Sequence, residues 1–180
     1  ARAFFAQRNQ TGTFIASDIF RLKDLEKHFP LILIHDVIEH IETKSKFLSG
    51  MKSYLSAGGV IFIAFPAWQM PFGGHQQIAR GRVVSHLPFI HLLPRTLYKW
   101  ILETGDEEED TIKELLSIKE TKCTIEMFRN LVKQTGYQIV DQQLFFINPH
   151  YEVKFGLSPR KLGRVLSSVP YLRNFFSTSC

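Results

Sequence analysis

Two uninterrupted apolar runs, "PLILI" at 30–34 and "VIFIAF" at 60–65, constrain this chain more than any other feature. A strand with one wet face alternates apolar and polar residues. A run without polar interruption belongs to a strand covered on both faces, as in a parallel sheet. Between the runs, Phe47, Leu48, Met51, Tyr54 and Leu55 recur at helical spacing. Thr43 or Ser45 is placed to cap that helix and Gly58–Gly59 to end it. Parallel neighbours need a crossover of this length, so residues 30–65 predict one right-handed βαβ unit in an α/β fold.

Other segments are less regular. "ARAFFAQRNQTG" reads as the last turns of a helix stopped by Gly12, and with no initiating Met it suggests a piece of a longer protein. "GTFIASDIF" (12–20) predicts a short strand ending at Asp18, and "KDLEKHF" a polar turn or short helix. From Pro66 to Trp100 the chain holds four of its eight prolines, three histidines, five aromatic residues including Trp68 and Phe72, and the Gly73–Gly74 pair. That composition suits an insertion packing over something rather than a sheet element. "GDEEED" (105–110) reads as a solvated acidic loop or the first turn of a helix through Leu115 and Leu116. Thr124 is expected to cap a helix burying Met127, Phe128, Leu131 and Val132 and stopped by Gly136, before a strand over 138–147. "RNFFSTSC" closes the chain as an incipient strand.

A chain of 180 residues with 44% hydrophobic and 22% charged residues suits one globular domain. Sixteen Phe promise a well-filled core and an apolar site. The formal charge of +5 is mild, and its Lys and Arg are scattered, which argues against a nucleic-acid groove. Cys123 and Cys180 form no disulfide framework, so a reducing cytoplasm is expected. No stretch approaches the roughly 20 apolar residues of a membrane span, and the N-terminus lacks a signal pattern.

In a parallel sheet, ligands bind outside the carboxyl ends of the strands. Asp18, His35, Asp36 and Pro66 each lie at or just past such an end. Asp36, Glu39 and His40 follow an i, i+3, i+4 pattern, so a helix starting there would gather them on one side. Plainer roles also fit: Asp36 capping a helix start, and His40 bonding a backbone carbonyl.

"PLILIHDVIEHI" with the later "LSAGGVIFIAFP" resembles the fourth strand, following helix and fifth strand of class I S-adenosylmethionine-dependent methyltransferases. Glu39–His40, Gly58–Gly59 and Pro66 carry the match. "FIASDIF" resembles the third strand, "TIEMFRNLVKQTGYQIV" the late helix and sixth strand, and "FFSTSC" the start of the seventh. The family's glycine-rich loop and ribose-binding acid do not occur in the chain and would precede Ala1.

The resemblance implies a doubly wound, mostly parallel Rossmann-like sheet with helices on both faces. It makes 1–180 a single truncated domain, with 66–120 a helical, aromatic lid inserted within it. It implies S-adenosylmethionine as cofactor, with Asp18 and Ile19 near the adenine and Ile34, His35, Asp36 and His40 around the methionine and sulfonium. Pro66, Trp68, Phe72 and Arg80 would line the pocket of a small-molecule or lipid-linked acceptor, methylated at oxygen. His75, following a glycine pair, is the candidate catalytic base. Ubiquinone-pathway relatives hold a divalent cation at an acid-x-x-Glu-His run, a spacing that Asp36, Glu39 and His40 reproduce. Many Glu-His relatives bind none, and no metal is assigned.

Two rivals stand beside this reading. A hydrolase using His35–Asp36 is disfavoured because the pair ends a strand. A non-catalytic module would use the aromatic insertion as a protein or membrane docking face. Arg160, Lys161, Arg164 and Arg173, with Leu162, Val165 and Leu166, would then make a peripheral contact with anionic lipid.

Overall fold

Parallel pairing of the two apolar runs organises the computed structural model, which describes residues 2–22 and 28–180. The chain begins with α1 (Arg2–Gln7), whose Phe5 ring meets Phe14 edge-on at 5.0 Å. This helix stops at Gln7, before Gly12, because Asn9 takes a left-handed turn with φ 52°. Residues 12–20 form no strand. Asp18 folds the backbone on itself: its Oδ1 accepts from Phe20 N–H at 2.9 Å and its carbonyl from Arg21 N–H at 2.9 Å. A strand needs a neighbour for its ladder, and among the described residues none pairs with this segment. Residues 23–27, within the expected polar turn or short helix, lie outside the described residues.

Strand β1 (Phe29–His35) then leads through a 3-10 turn (Ile38–His40) to α2 (Lys44–Met51), a further 3-10 turn (Lys52–Tyr54) and β2 (Leu55–Ala64). In the parallel ladder Ile32 stands opposite Ile61, Leu33 opposite Phe62, Ile34 opposite Ile63 and His35 opposite Ala64. Thr43 occupies the N-cap position of α2 without a side-chain capping bond. Gly58 and Gly59 do not end this helix. They lie inside β2, where the register jumps between the Phe29–Leu55 and Leu31–Val60 pairs. Gly58 takes φ 71°, as a bulge requires, and a Cβ on Gly59 would meet Phe29 O at 3.0 Å.

Phe47, Leu48 and Met51 of α2 are buried with Ile34, Ile38, Phe65 and Cys123. Each large apolar side chain so buried contributes roughly 1.5–3 kcal/mol relative to exposure. The opposite face of the pair, Leu31, Leu33, Val60 and Phe62, is exposed. Cover on both faces was the expectation from the apolar runs; among the described residues only one face is covered. The observed sheet is therefore smaller than a doubly wound one: an α/β arrangement around two parallel strands with helices.

Beyond β2 comes a helical unit: α3 (Arg82–His86), α4 (Arg95–Thr104) and α5 (Glu109–Thr121). It has its own core of Ala79, Val84, Ile90, Tyr98, Leu102, Leu115 and Leu116. Helix α6 (Ile125–Gln134) is capped as expected, Thr124 Oγ1 accepting from Met127 N–H at 3.0 Å, and Gly136 turns left-handed at φ 69° beyond it. Ile125 and Val132 are its buried residues, whereas Met127 is exposed. The following strand is shorter than 138–147. Only β3 (Phe145–Ile147) pairs, antiparallel to β4 (Arg160–Lys161), with α7 (His150–Phe155) between them and α8 (Arg164–Ser168) after.

"RNFFSTSC" is extended only at its last residues, because Leu172–Phe175 turn as a 3-10 helix before them. Cys180 and Phe65 exchange backbone hydrogen bonds of 3.1 Å, and Phe145 N–H donates to Ser179 O at 2.9 Å. The last residues thus lie between the continuation of β2 and β3. Arg173 does not reach outward for lipid: it is buried, and its guanidinium meets Glu126 at 2.8 Å. Among the described residues no helix is long and apolar enough to cross a membrane.

Candidate functional site

The tip of β1 is bent sharply. Asp36 N–H still donates to Ala64 O at 2.9 Å, continuing the parallel ladder, but Asp36 itself takes φ 50°. A single 3-10 turn follows in place of an α-helix. Its Ile38 is fully buried and anchors the turn to the core, which draws the next residue, Glu39, inward until only 3% of it is exposed. Asp36 remains half-exposed, with Oδ2 at 3.0 Å from His35 Nδ1. Asp36, Glu39 and His40 therefore do not share one helical side, because Asp36 precedes the turn in a left-handed conformation.

The third partner comes from the lid. A Cβ on Gly73 would lie 2.3 Å from Trp68 O, and one on Gly74 would lie 2.2 Å from His91 Cβ. Only glycines permit this backbone approach. The next residue, His75, sits at φ 57° and ends with Nε2 at 3.8 Å from Glu39 Oε1. His40 Nε2 is 3.9 Å from the same oxygen, and the two imidazoles meet edge to face with centroids 5.1 Å apart. One donor atom from each of Glu39, His40 and His75 falls within 4.8 Å of the others.

The electrostatics are those of a buried acid among neutral bases. Burial pushes the Glu39 carboxyl up from 4.5 to about 7, with its own backbone N–H offsetting part of that and Asp36 adding to it. Neither Glu39 oxygen has a hydrogen-bond partner of good geometry. Burial also lowers His40 and His75, while the negative charges of Asp36 and of Glu114 on α5 pull both the other way. Lys44, a buried cation close behind the turn, is engaged elsewhere: its Nζ donates to Ile41 O at 2.6 Å and to Thr121 O.

Other expected site residues are scattered among different tasks. Ile34 is a core residue, so only its backbone belongs to the strand tip, and Ile19 packs on the same core. Asp18 is exposed and holds its own turn. Pro66 and Phe72 are half-buried, whereas Trp68 is buried inside the lid, its indole edge-on to His91 at 4.7 Å. Arg80 is exposed and its guanidinium pairs with Glu108.

Three structural residues at the site's margins escaped the sequence reading. His91 is fully buried, with Nε2–H donating to Trp68 O at 2.7 Å, and burial pushes its pKa down to about 4. Glu107, taken for solvated surface, is buried and accepts from Arg80 N–H and Gly81 N–H at 2.8 Å each. Gln76 is fully buried and donates to Pro71 O at 2.9 Å. His91 and Glu107 are defined by partners remote in sequence, and Gln76 by carbonyls across a loop, so no helical or strand periodicity marked them.

No protein-family model, curated protein or solved structure matches the chain.

Proposed function

We propose that the chain belongs to a class I S-adenosylmethionine-dependent methyltransferase acting at a hydroxyl of a small-molecule or lipid-linked acceptor. One observation carries the reading. β1 and β2 end side by side in parallel register, with His35 opposite Ala64, and their tips present Asp36, Glu39 and His40 beneath the lid's His75. The crevice outside such strand ends is where an open parallel sheet binds ligands.

The finer fold is part of the proposal. The bare face formed by Leu31, Leu33, Val60 and Phe62 is an apolar surface of the kind a second helical layer covers. The last residues, bonded through their backbone to Phe65 and Phe145, support a sheet continuing past β2.

The donor, when bound, supplies an electrophilic methyl group and leaves as a neutral thioether holding the electron pair of the broken carbon–sulfur bond. Asp18 and Ile19 would receive its adenine; Ile34, His35, Asp36 and His40 would surround its amino-acid and sulfonium portion. His75, on the lid above the strand tips, would take the proton of the acceptor hydroxyl when no metal ion holds it. Pro66 and Phe72, half-buried on the lid, offer apolar surface to the acceptor. Trp68 and Arg80 act from further back, one by packing the lid and the other at its exterior.

Calorimetric titration of the full-length protein with S-adenosylhomocysteine tests the reading. Saturable heat is expected, with Asp18→Ala weakening affinity by about tenfold, or ~1.4 kcal/mol. No heat at millimolar ligand would overturn it.

A further inference from the structure

We infer that Glu39, His40 and His75 form a binding site for one divalent first-row transition metal ion of the Zn²⁺ class. Glu39 is 3% exposed, yet neither carboxylate oxygen is hydrogen-bonded. A buried carboxylate without a partner is costly, and such groups are paired or coordinate metals. Its neighbours across the gap, His40 Nε2 at 3.9 Å and His75 Nε2 at 3.8 Å, are too distant for hydrogen bonds. Lys44 does not fill the role, since its ammonium is spent on the carbonyls of Ile41 and Thr121.

Spacing and chemistry agree on what belongs between them. Ligand bonds of about 2.0–2.1 Å in a tetrahedral site imply donor separations of ~3.3 Å. The observed 3.8 and 3.9 Å reach that value by side-chain rotations of about half an ångström. Two imidazoles with one carboxylate suit Zn²⁺, Fe²⁺, Co²⁺ or Mn²⁺, whereas Mg²⁺ and Ca²⁺ prefer all-oxygen shells. Three protein ligands leave a fourth position open. Asp36 and Glu114, close enough to act electrostatically on both imidazoles, add negative field around the gap.

The ligand set joins the two halves of the site. Glu39 and His40 belong to the tip of β1 and His75 to the lid, so the ion would clamp the lid onto the sheet. If the proposed methyl transfer is the reaction, a bound ion would take up the His75 nitrogen and replace it as the activator, making an acceptor hydroxyl in the open position easier to ionise with its proton passing to solvent. That consequence rests on the methyltransferase reading; the binding site does not.

The decisive experiment is a Zn²⁺ titration of the chelator-treated chain against a chromophoric competitor, with Co²⁺ absorption reporting ligand geometry. One equivalent should bind, with the intense visible bands of a tetrahedral Co²⁺ site. Glu39→Gln keeps the side-chain volume, removes the buried charge and should lower affinity by more than ~100-fold, as should His75→Ala. Asp36→Asn, outside the ligand set, should change it by less than about tenfold. Circular dichroism melts taken with each titration confirm that a variant is folded. Failure of the folded wild-type chain to bind one equivalent would overturn the inference. So would an Asp36→Asn loss equal to that of Glu39→Gln with His75→Ala unaffected, which would give the ion a different ligand set. No methyl donor is present in these titrations, so their failure leaves the cofactor calorimetry standing, and the reverse holds too.

Discussion

His75 Nε2 stands 3.8 Å from Glu39 Oε1, the first on a left-handed turn of the lid and the second on a 3-10 turn at the tip of β1. Neither residue reaches this position through its own side chain alone. Ile38 pulls Glu39 into the interior, and the close approach of Gly73 and Gly74 to Trp68 and His91 lowers His75 onto it. The geometry of the site therefore depends on contacts several residues removed from it.

Gly73 and Gly74 are the most exacting of these. A methyl group on Gly73 would sit 2.3 Å from the Trp68 carbonyl oxygen, and one on Gly74 2.2 Å from His91 Cβ. Gly74→Ala should lower stability by about 3 kcal/mol through overpacking. Gly50→Ala is the counterpart: nothing lies within 4 Å of its added Cβ, inside α2, so it should gain about 0.5–1 kcal/mol. Chemical denaturation of the three proteins measures both, and a Gly74→Ala chain as stable as the parent would refute the close approach.

Glu107 fastens the turn before α3 by accepting two backbone N–H groups, from Arg80 and Gly81, one on each oxygen. Glu107→Ala removes the acceptor of both part-buried N–H groups and should cost about 2 kcal/mol. Glu107→Gln keeps one acceptor and turns an N–H₂ toward the other donor, so its loss should be similar or only slightly smaller. Hydrogen exchange at Arg80 and Gly81 should accelerate in both variants. Unchanged protection would remove Glu107 from this role.

Glu126 ties α6 to the chain's end. Its Oε1 accepts from Arg173 Nε at 2.9 Å and Tyr171 N–H at 3.0 Å, and its Oε2 from Asn174 Nδ2 at 2.5 Å, while Asn174 Oδ1 accepts from Ile125 N–H at 2.8 Å. Burial works against the Glu126 charge, but the bonds from Tyr171, Asn174, its own backbone and Arg173 outweigh it, so the carboxyl titrates below 4.5. A depressed acid contributes stability that is complete above the unfolded-state value and lost as pH falls through the folded one. Glu126→Gln should therefore cost about 3 kcal/mol at neutral pH, since it uncouples a largely buried pair. The gap from the parent should narrow as pH falls below 4.5. Melts recorded across that range decide it: a constant gap would show that the charge contributes nothing.

Much of the local structure was legible because it depends on neighbours in sequence. The apolar runs at 30–34 and 60–65 became the parallel pair, Thr124 capped α6, and Gly136 turned the chain after it. The cap and the turn are set by a side chain reaching its own next turn and by backbone preference, and the pair by two uninterrupted apolar runs separated by a crossover of helical length. Where the outcome needed a distant partner, the reading failed in a consistent way. Residues 12–20 carry strand-like residues but no ladder neighbour, Gly58–Gly59 serve a bulge rather than a helix end, and Met127 lies on an exposed part of α6.

By itself the sequence determined the βαβ core and singled out Glu39, His40 and His75 as polar residues beside apolar or glycine-rich segments, because periodicity and backbone freedom are written locally. Only the tertiary structure decided that these three share one gap while Asp36 turns to His35 and Glu107 goes inside. The reason is physical. Burial and pairing are properties of the space between elements, and that space exists only once the lid has packed against the strand tips.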